Sequence, residues 1–216
     1  MRALDISRNV GDQLNMAWAL ALLGSTMLQE PQEAMPIFQE SLALFRNLNH
    51  QPGIAQVLNI IEEIVRFSGD DNDRAKHAYE EYLAISQQTR ETRRIAYIYH
   101  NLTFIALHEG KAEQARDLGR QGLLLARAMN NRLELAKALA ILAGAIGVSG
   151  RPQLAARLLG ASERALETLG AAYQPNDKWE IDGMIAAVRA QLDEATFQAA
   201  WAEGRKLTLE QAILES

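Results

Sequence analysis

Apolar residues recur along this chain with a helical period, and the helical segments themselves recur. Four runs of the form A-x-x-[LY]-x-x-[LI] open at Ala17, Ala55, Ala96 and Ala136 and read AWALALL, AQVLNII, AYIYHNL and AKALAIL. Positions 1, 4, 7 and 11 of each run are apolar, a spacing that lines up one face of a helix. The runs follow one another at 38, 41 and 40 residues. A second series, Ala34, Ala75, Ala115 and Ala155, falls between them at intervals of 41, 40 and 40 residues. Two interleaved series with one period predict an all-α protein built as a solenoid of αα-hairpins. The alanines sit where two helix backbones must come close, since a larger side chain would force the pair apart. Solenoids of this kind work by presenting a surface.

The pattern predicts four helix pairs: 13–29 with 33–48, 54–67 with 72–89, 92–109 with 112–129, and 133–148 with 153–169. Gly53, Gly69, Gly110, Gly150 and Gly170 fall where helices should stop, and glycine accepts the left-handed conformation that ends a helix. Pro31 and Pro152 fall in the first turn of second helices, where a missing N–H costs nothing. Asp70, Asp71, Asn72 and Asp73 offer caps to the following helix. Three domain segments follow: 1–11, the end of a truncated preceding repeat; 12–170, four hairpins; and 171–216, C-terminal capping helices. Ala3, Leu4 and Ile6 give the first segment no polar outer face, so the chain is expected to be a fragment of a larger protein. In the last segment, helices are predicted at 178–192 and 194–203, and Thr208 and Gln211 have the spacing of a capping box. Trp179, Phe197 and Trp201 are expected to cover the final hairpin.

Composition narrows the function more by exclusion. The 216 residues carry a net charge of −5, which argues against a nucleic-acid surface with its basic stripe, and the 6% of aromatics suits close-packed helices. There is no cysteine, so thiol catalysis, disulfides and cysteine-ligated zinc are out. No apolar run reaches the roughly 20 residues of a membrane span, and a cytoplasmic location is expected. The cluster Arg90, Arg93 and Arg94 reads as a solvated helix start. His50, His77, His100 and His108 lack metal-ligand spacing, His100 and His108 being two turns apart with Phe104 between them. No nucleophile elbow, phosphate loop or dinucleotide fingerprint occurs. The reading is therefore not an enzyme, with no cofactor and no metal; Glu63, Arg66 and His100 are the only close titratable groups.

The repeats resemble the tetratricopeptide family. Position 8 of the runs reads Gly24, Glu62, Thr103 and Ala143, and Phe38 and Tyr79 stand at the aromatic position after the second alanine. The period is nearer 40 than 34 residues, Gly119 and Leu159 replace the aromatic, and the closing proline is absent. This longer variant is similar to the repeats of bacterial signal-transduction ATPases and MalT-like, LuxR-type transcription regulators. The C-terminal stretches RLLGASERALETLG and LDEATFQAAWAEGRKLTLEQAI resemble the closing segment of such regions.

The resemblance implies a right-handed superhelix whose first helices line a concave groove. By the family pattern, positions 2, 5, 9, 12 and 13 of each run point into it. These include Trp18 in the first repeat, Gln56, Asn59, Glu63 and Arg66 in the second, Tyr97, His100, Phe104 and His108 in the third, and Lys137 in the fourth. Lys137 is accompanied only by Ala140, Gly144 and Gly147. This mixture of aromatic and polar side chains suits a protein or peptide segment. A small effector, or a second copy of the chain through exposed repeat ends, is an alternative partner; direct nucleic-acid or membrane contact is not expected. The leading function is a sensor or interaction arm that biases a nucleotide-switched ATPase. A stand-alone adaptor and a small-ligand receptor are the alternatives.

Overall fold

In a computed structural model the chain is all-helical. Residues 12–68, 72–173 and 175–216 are described, without the side chains of 62, 63, 65–68, 72–75, 175 and 176. Eleven helices follow in order among these residues: α1 Gln13–Ser25, α2 Pro31–Asn47, α3 Gln51–Ser68, α4 Asn72–Gln88, α5 Thr92–His108, α6 Ala112–Ala128, α7 Arg132–Val148, α8 Pro152–Thr168, α9 Pro175–Arg189, α10 Glu194–Gly204 and α11 Leu209–Glu215. They form two units, dividing between Glu91 and Thr92. In the first, α1 packs on α2, α2 on α3, and α3 on α4. In the second, α5 packs on α6, α6 on α7, and α7 on α8, while α9 lies against α7 and α8, and α10 and α11 lie against α8. This arrangement is consistent with a helical repeat. No described helix is long and apolar enough to cross a membrane.

The recurring alanines are buried, at 0–3% exposure for Ala17, Ala55, Ala96 and Ala136 and 0% for Ala34, Ala115 and Ala155. Two of the pairs carry a bond that close approach makes available. Ser41 Oγ of α2 donates to the Ala17 carbonyl of α1 at 2.8 Å, and Ser162 Oγ of α8 donates to the Ala136 carbonyl of α7 at 2.7 Å. Both serines are seven residues after the second alanine of their pair. Each bond is buried and contributes about 1 kcal/mol net. In the first pair, Gly24 of α1 faces the ring of the fully buried Phe38, whose Cζ would lie 2.8 Å from an added Cβ. The small residue at position 8 thus makes room for the aromatic on the second helix.

Helix ends follow a second register. Asn49, Arg90, Gly110, Asn130, Gly150 and Gly170 have φ between 51° and 85°, and the last five lie 20 residues apart. After α5, the Gly110 N–H donates to the Leu107 carbonyl and the Lys111 N–H to the Ala106 carbonyl, the paired bonds that close a helix in this conformation. Gly110, Gly150 and Gly170 are therefore stops as expected. Gly53 is not: it lies in the first turn of α3, where a Cβ would overlap the buried Phe45 ring, and Asn49 makes the turn instead. Gly69, the acidic run Asp70–Asp71, and residues 1–11 lie outside the described residues. The first helix also ends sooner than expected, at Ser25 rather than near residue 29.

The C-terminal helices are fastened by glycines of a different kind. A Cβ on Gly204 of α10 would overlap the Arg157 carbonyl of α8, and a Cβ on Gly160 of α8 would overlap the Trp201 carbonyl of α10. The two backbones touch reciprocally. Trp201 Nε1 donates to Glu163 at 3.0 Å, and Arg205 pairs with Glu163 and with Glu167 at 2.7 Å. Phe197 is buried, whereas Trp179 is 67% exposed and does not cover the hairpin as expected. The expected capping box forms, with Thr208 Oγ1 accepting from the Gln211 N–H and Gln211 accepting from the Thr208 N–H.

Two substitutions check this reading by thermal melting. Arg90 holds a positive φ that an L side chain adopts at a cost of about 1 kcal/mol or more, so Arg90→Gly should raise the melting temperature by roughly 2–4 °C. Gly204→Ala should instead lower stability by about 1–3 kcal/mol, since backbone cannot give way as a side-chain tip can. An unchanged melting temperature in Gly204→Ala would show that α8 and α10 are not in backbone contact.

Candidate functional site

The expected groove residues distribute unevenly. In the first unit, Gln56 is exposed and Asn59 half-buried on α3. The side chains of Glu63 and Arg66 lie outside the described residues, as does that of Glu62. Trp18 of α1 is half-buried and meets the Phe45 ring edge-on at 4.7 Å and 69°. His50 stacks on Phe45 at 5.4 Å, and its Nδ1 accepts from the Gly53 N–H at 3.0 Å. Trp18 thus belongs to an aromatic cluster that locks the α2–α3 turn.

In the second unit, Tyr97 is half-buried on α5, and Lys137 is half-buried on α7 near Glu134 at 3.9 Å. His100 and Phe104 are at 7% and 1% exposure, so the expectation that both face the groove surface is corrected. For His100 the reason is Gly122 on α6. It stands at the position occupied by the bonding serines, Ser41 and Ser162, in other pairs. The His100 ring fills the space, and a Cβ on Gly122 would lie 2.7 Å from its Cδ2. Burial, with the Lys137 ammonium nearby, depresses the His100 imidazole to about 4.

Phe104 belongs to the same core as Ala140, Ile181, Met184 and Val188. Ile181, Met184 and Val188 of that core come from α9, which lies against α7. A Cβ on Gly144 of α7 would overlap Met184 Sδ, and one on Gly147 would lie 2.6 Å from Val188 Cγ2. Gly144 and Gly147 are the expected groove positions 9 and 12 of the fourth repeat. On α5, His108 at position 13 meets Glu180 of α9, Nε2 to Oε2, at 3.1 Å. The Glu180 side chain is 7% exposed and that of His108 44%. The helix α9 therefore lies across the positions of α5 and α7 that the repeat pattern assigned to ligand contact.

Sequence reasoning missed the residues of α9 that do this. Their signal is an apolar spacing of i, i+3 and i+7 at Ile181, Met184 and Val188, opposite two glycines in the interior of α7. Among the described residues no three of His, Asp and Glu come together so as to hold a metal ion. No protein-family model matches the chain, and no curated protein matches it.

The buried His100 makes a testable contribution to pH dependence. Its folded-state value lies below the ordinary 6.5, so between about pH 6.5 and pH 4 the unfolded chain binds a proton that the folded chain does not. Stability should fall through this window as pH falls, by up to about 1.4 kcal/mol per pH unit from this group. Denaturant titrations of the wild type and His100→Gln at pH 7 and pH 4.5 check this. The variant should lose less stability than the wild type on acidification; equal losses would place the imidazole in contact with water.

Proposed function

We propose that this chain is a non-enzymatic helical-repeat module of the tetratricopeptide kind, four helix pairs of a hairpin solenoid followed by closing helices. In this reading it serves in the bacterial cytoplasm as the interaction or sensor arm of a signal-transduction ATPase or transcription regulator. It holds a protein segment on the inner faces of its first helices, and occupancy there biases the attached switch.

The supporting observation is the packing of α9. A helix with an apolar edge sits on the glycine floor of α7 and places a carboxylate on His108, which is how amphipathic helices are taken up by grooves. The 40-residue alanine register and the 20-residue register of left-handed turns support the repeat architecture. In the second unit, the half-buried Tyr97 and Lys137 supply aromatic surface and hydrogen bonding beside apolar contact, the mixture that recognises peptides.

A selection of displayed random peptides against the full chain tests this. Enriched sequences should be amphipathic helices, and Tyr97→Ala or Lys137→Glu should weaken the selected peptides about tenfold, or ~1.4 kcal/mol. The melting temperatures of both variants should stay within a few degrees. Enrichment of no peptide, or binding indifferent to both substitutions, would refute the reading.

A further inference from the structure

The helix α9 fits the inner face of α7 in the manner of a ligand, and four features bear on how it is held. Its apolar contact is narrow: Ile181, Met184 and Val188 are its only buried apolar side chains among the described residues, at 2%, 9% and 1% exposure. It buries the Glu180 carboxylate beside a half-exposed imidazole, and desolvating a charge offsets part of what the apolar contact contributes. Gly183 stands in its interior with nothing within 4 Å of a would-be Cβ, a residue that weakens a helix by about 1 kcal/mol relative to alanine. It also presents Trp179 to solvent at 67% exposure.

The segments on either side have contacts of their own on α8, and Arg189 of α9 also pairs with Glu194 of α10 and lies over the Phe197 ring at 5.0 Å. Before α9, Tyr173 shares a hydrogen bond with Ser162 at 3.0 Å, and Ser162 is itself bonded to the Ala136 carbonyl. Burial pushes the Tyr173 phenol up to about 12. After α9, the helix α10 lies with its backbone against α8 through Gly160 and Gly204. Both flanking segments are fastened to α8, while the helix between them lies against α7 and α8 and seats its apolar edge on the α7 glycines. Release of α9 would break the Arg189–Glu194 pair but leave the Tyr173–Ser162 bond and the α8–α10 backbone contact in place, a local opening of the kind that separates one cooperative unit from the rest.

We propose that α9 is a displaceable internal occupant of the α7 face, and that the partner which replaces it is an amphipathic helix of the same design. That helix carries a carboxylate followed at +1, +4 and +8 by branched or thioether side chains, as Glu180, Ile181, Met184 and Val188 do. The carboxylate meets His108, and the apolar edge seats on Gly144 and Gly147. This inference rests on the proposed protein-binding function and specifies its ligand. Because α9 is tethered at both ends, its effective concentration at the face is high. A free helix competes well only when it binds better or when α9 is weakened.

The absence of cysteine makes a clean lock possible. An added Cβ on Gly147 would lie 3.9 Å from Val188 Cβ, inside the range a disulfide spans. The probe is a fluorescent synthetic peptide of residues 175–192 carrying Gly183→Ala, titrated by anisotropy into the full chain. The chain is tested as the wild type, as the Met184→Asp/Val188→Asp variant that loosens α9, and as the Gly147→Cys/Val188→Cys variant, oxidised and reduced. Binding should be at least tenfold tighter to the loosened chain than to the wild type. It should be lost on oxidation of the double-cysteine chain and restored on reduction. Glu180→Gln in the peptide, or His108→Ala in the chain, should weaken it.

Equal binding to oxidised and reduced chains would overturn the inference, since the peptide would then bind away from α7, while leaving a protein-binding function standing. No binding to a loosened chain that retains its helical circular dichroism would overturn both. If the loosened chain fails to fold, the comparison of oxidised with reduced chain decides the matter alone.

Discussion

The close approach of paired helices at a recurring alanine is the constraint on which the rest of the structure depends. With Ala17 and Ala136 fully buried, the backbone of the first helix comes within reach of a side chain on the second, and a serine hydroxyl bonds directly to its carbonyl. The same spacing decides what stands elsewhere in the pair. A glycine at position 8 admits Phe38, and a glycine on α6 admits the His100 ring. In these two pairs a small residue on one helix is matched by a large one across the interface. That is how a core of small residues keeps the density of an ordinary protein interior.

Glycine extends this logic to the C-terminal helices in two distinct ways. Between α8 and α10 the glycines bring backbone onto backbone, a contact without slack. Between α7 and α9 they form a shallow floor that receives side chains, and other side chains of similar size and spacing can occupy such a floor. The first kind of contact builds a fastening and the second a seat. With Tyr173 and α10 both held on α8, the chain places α9 over the face that the repeat pattern reserves for a ligand.

Much of the fold was legible in the sequence because its signals are local and periodic. The alanine register located the helices that become α1 to α8, and Thr208 with Gln211 announced the last one. Left-handed turns at Asn49, Arg90 and Asn130 were missed because only glycine was sought there, although asparagine also tolerates that conformation. The candidate site was harder to read. A helical face is visible in one sequence, but what covers it depends on long-range packing. His100 looked like a surface residue because Gly122, which makes room for its ring, lies far along the chain, and Phe104 because the core that takes it in is assembled from distant helices. Trp179 looked like core because aromatic bulk on a helix is usually buried; here α9 turns its apolar edge of Ile181, Met184 and Val188 inward and leaves the indole outside.

Whether α9 is a seated occupant or a structural cap is most directly read from amide hydrogen exchange of the unmodified chain, followed by mass spectrometry under native conditions. As an occupant, residues 177–189 should exchange through local opening, well before α7 and α8, with Tyr173 and α10 remaining protected. Exchange of α9 in step with α7 and α8, only on global unfolding, would contradict this and make the helix part of the core.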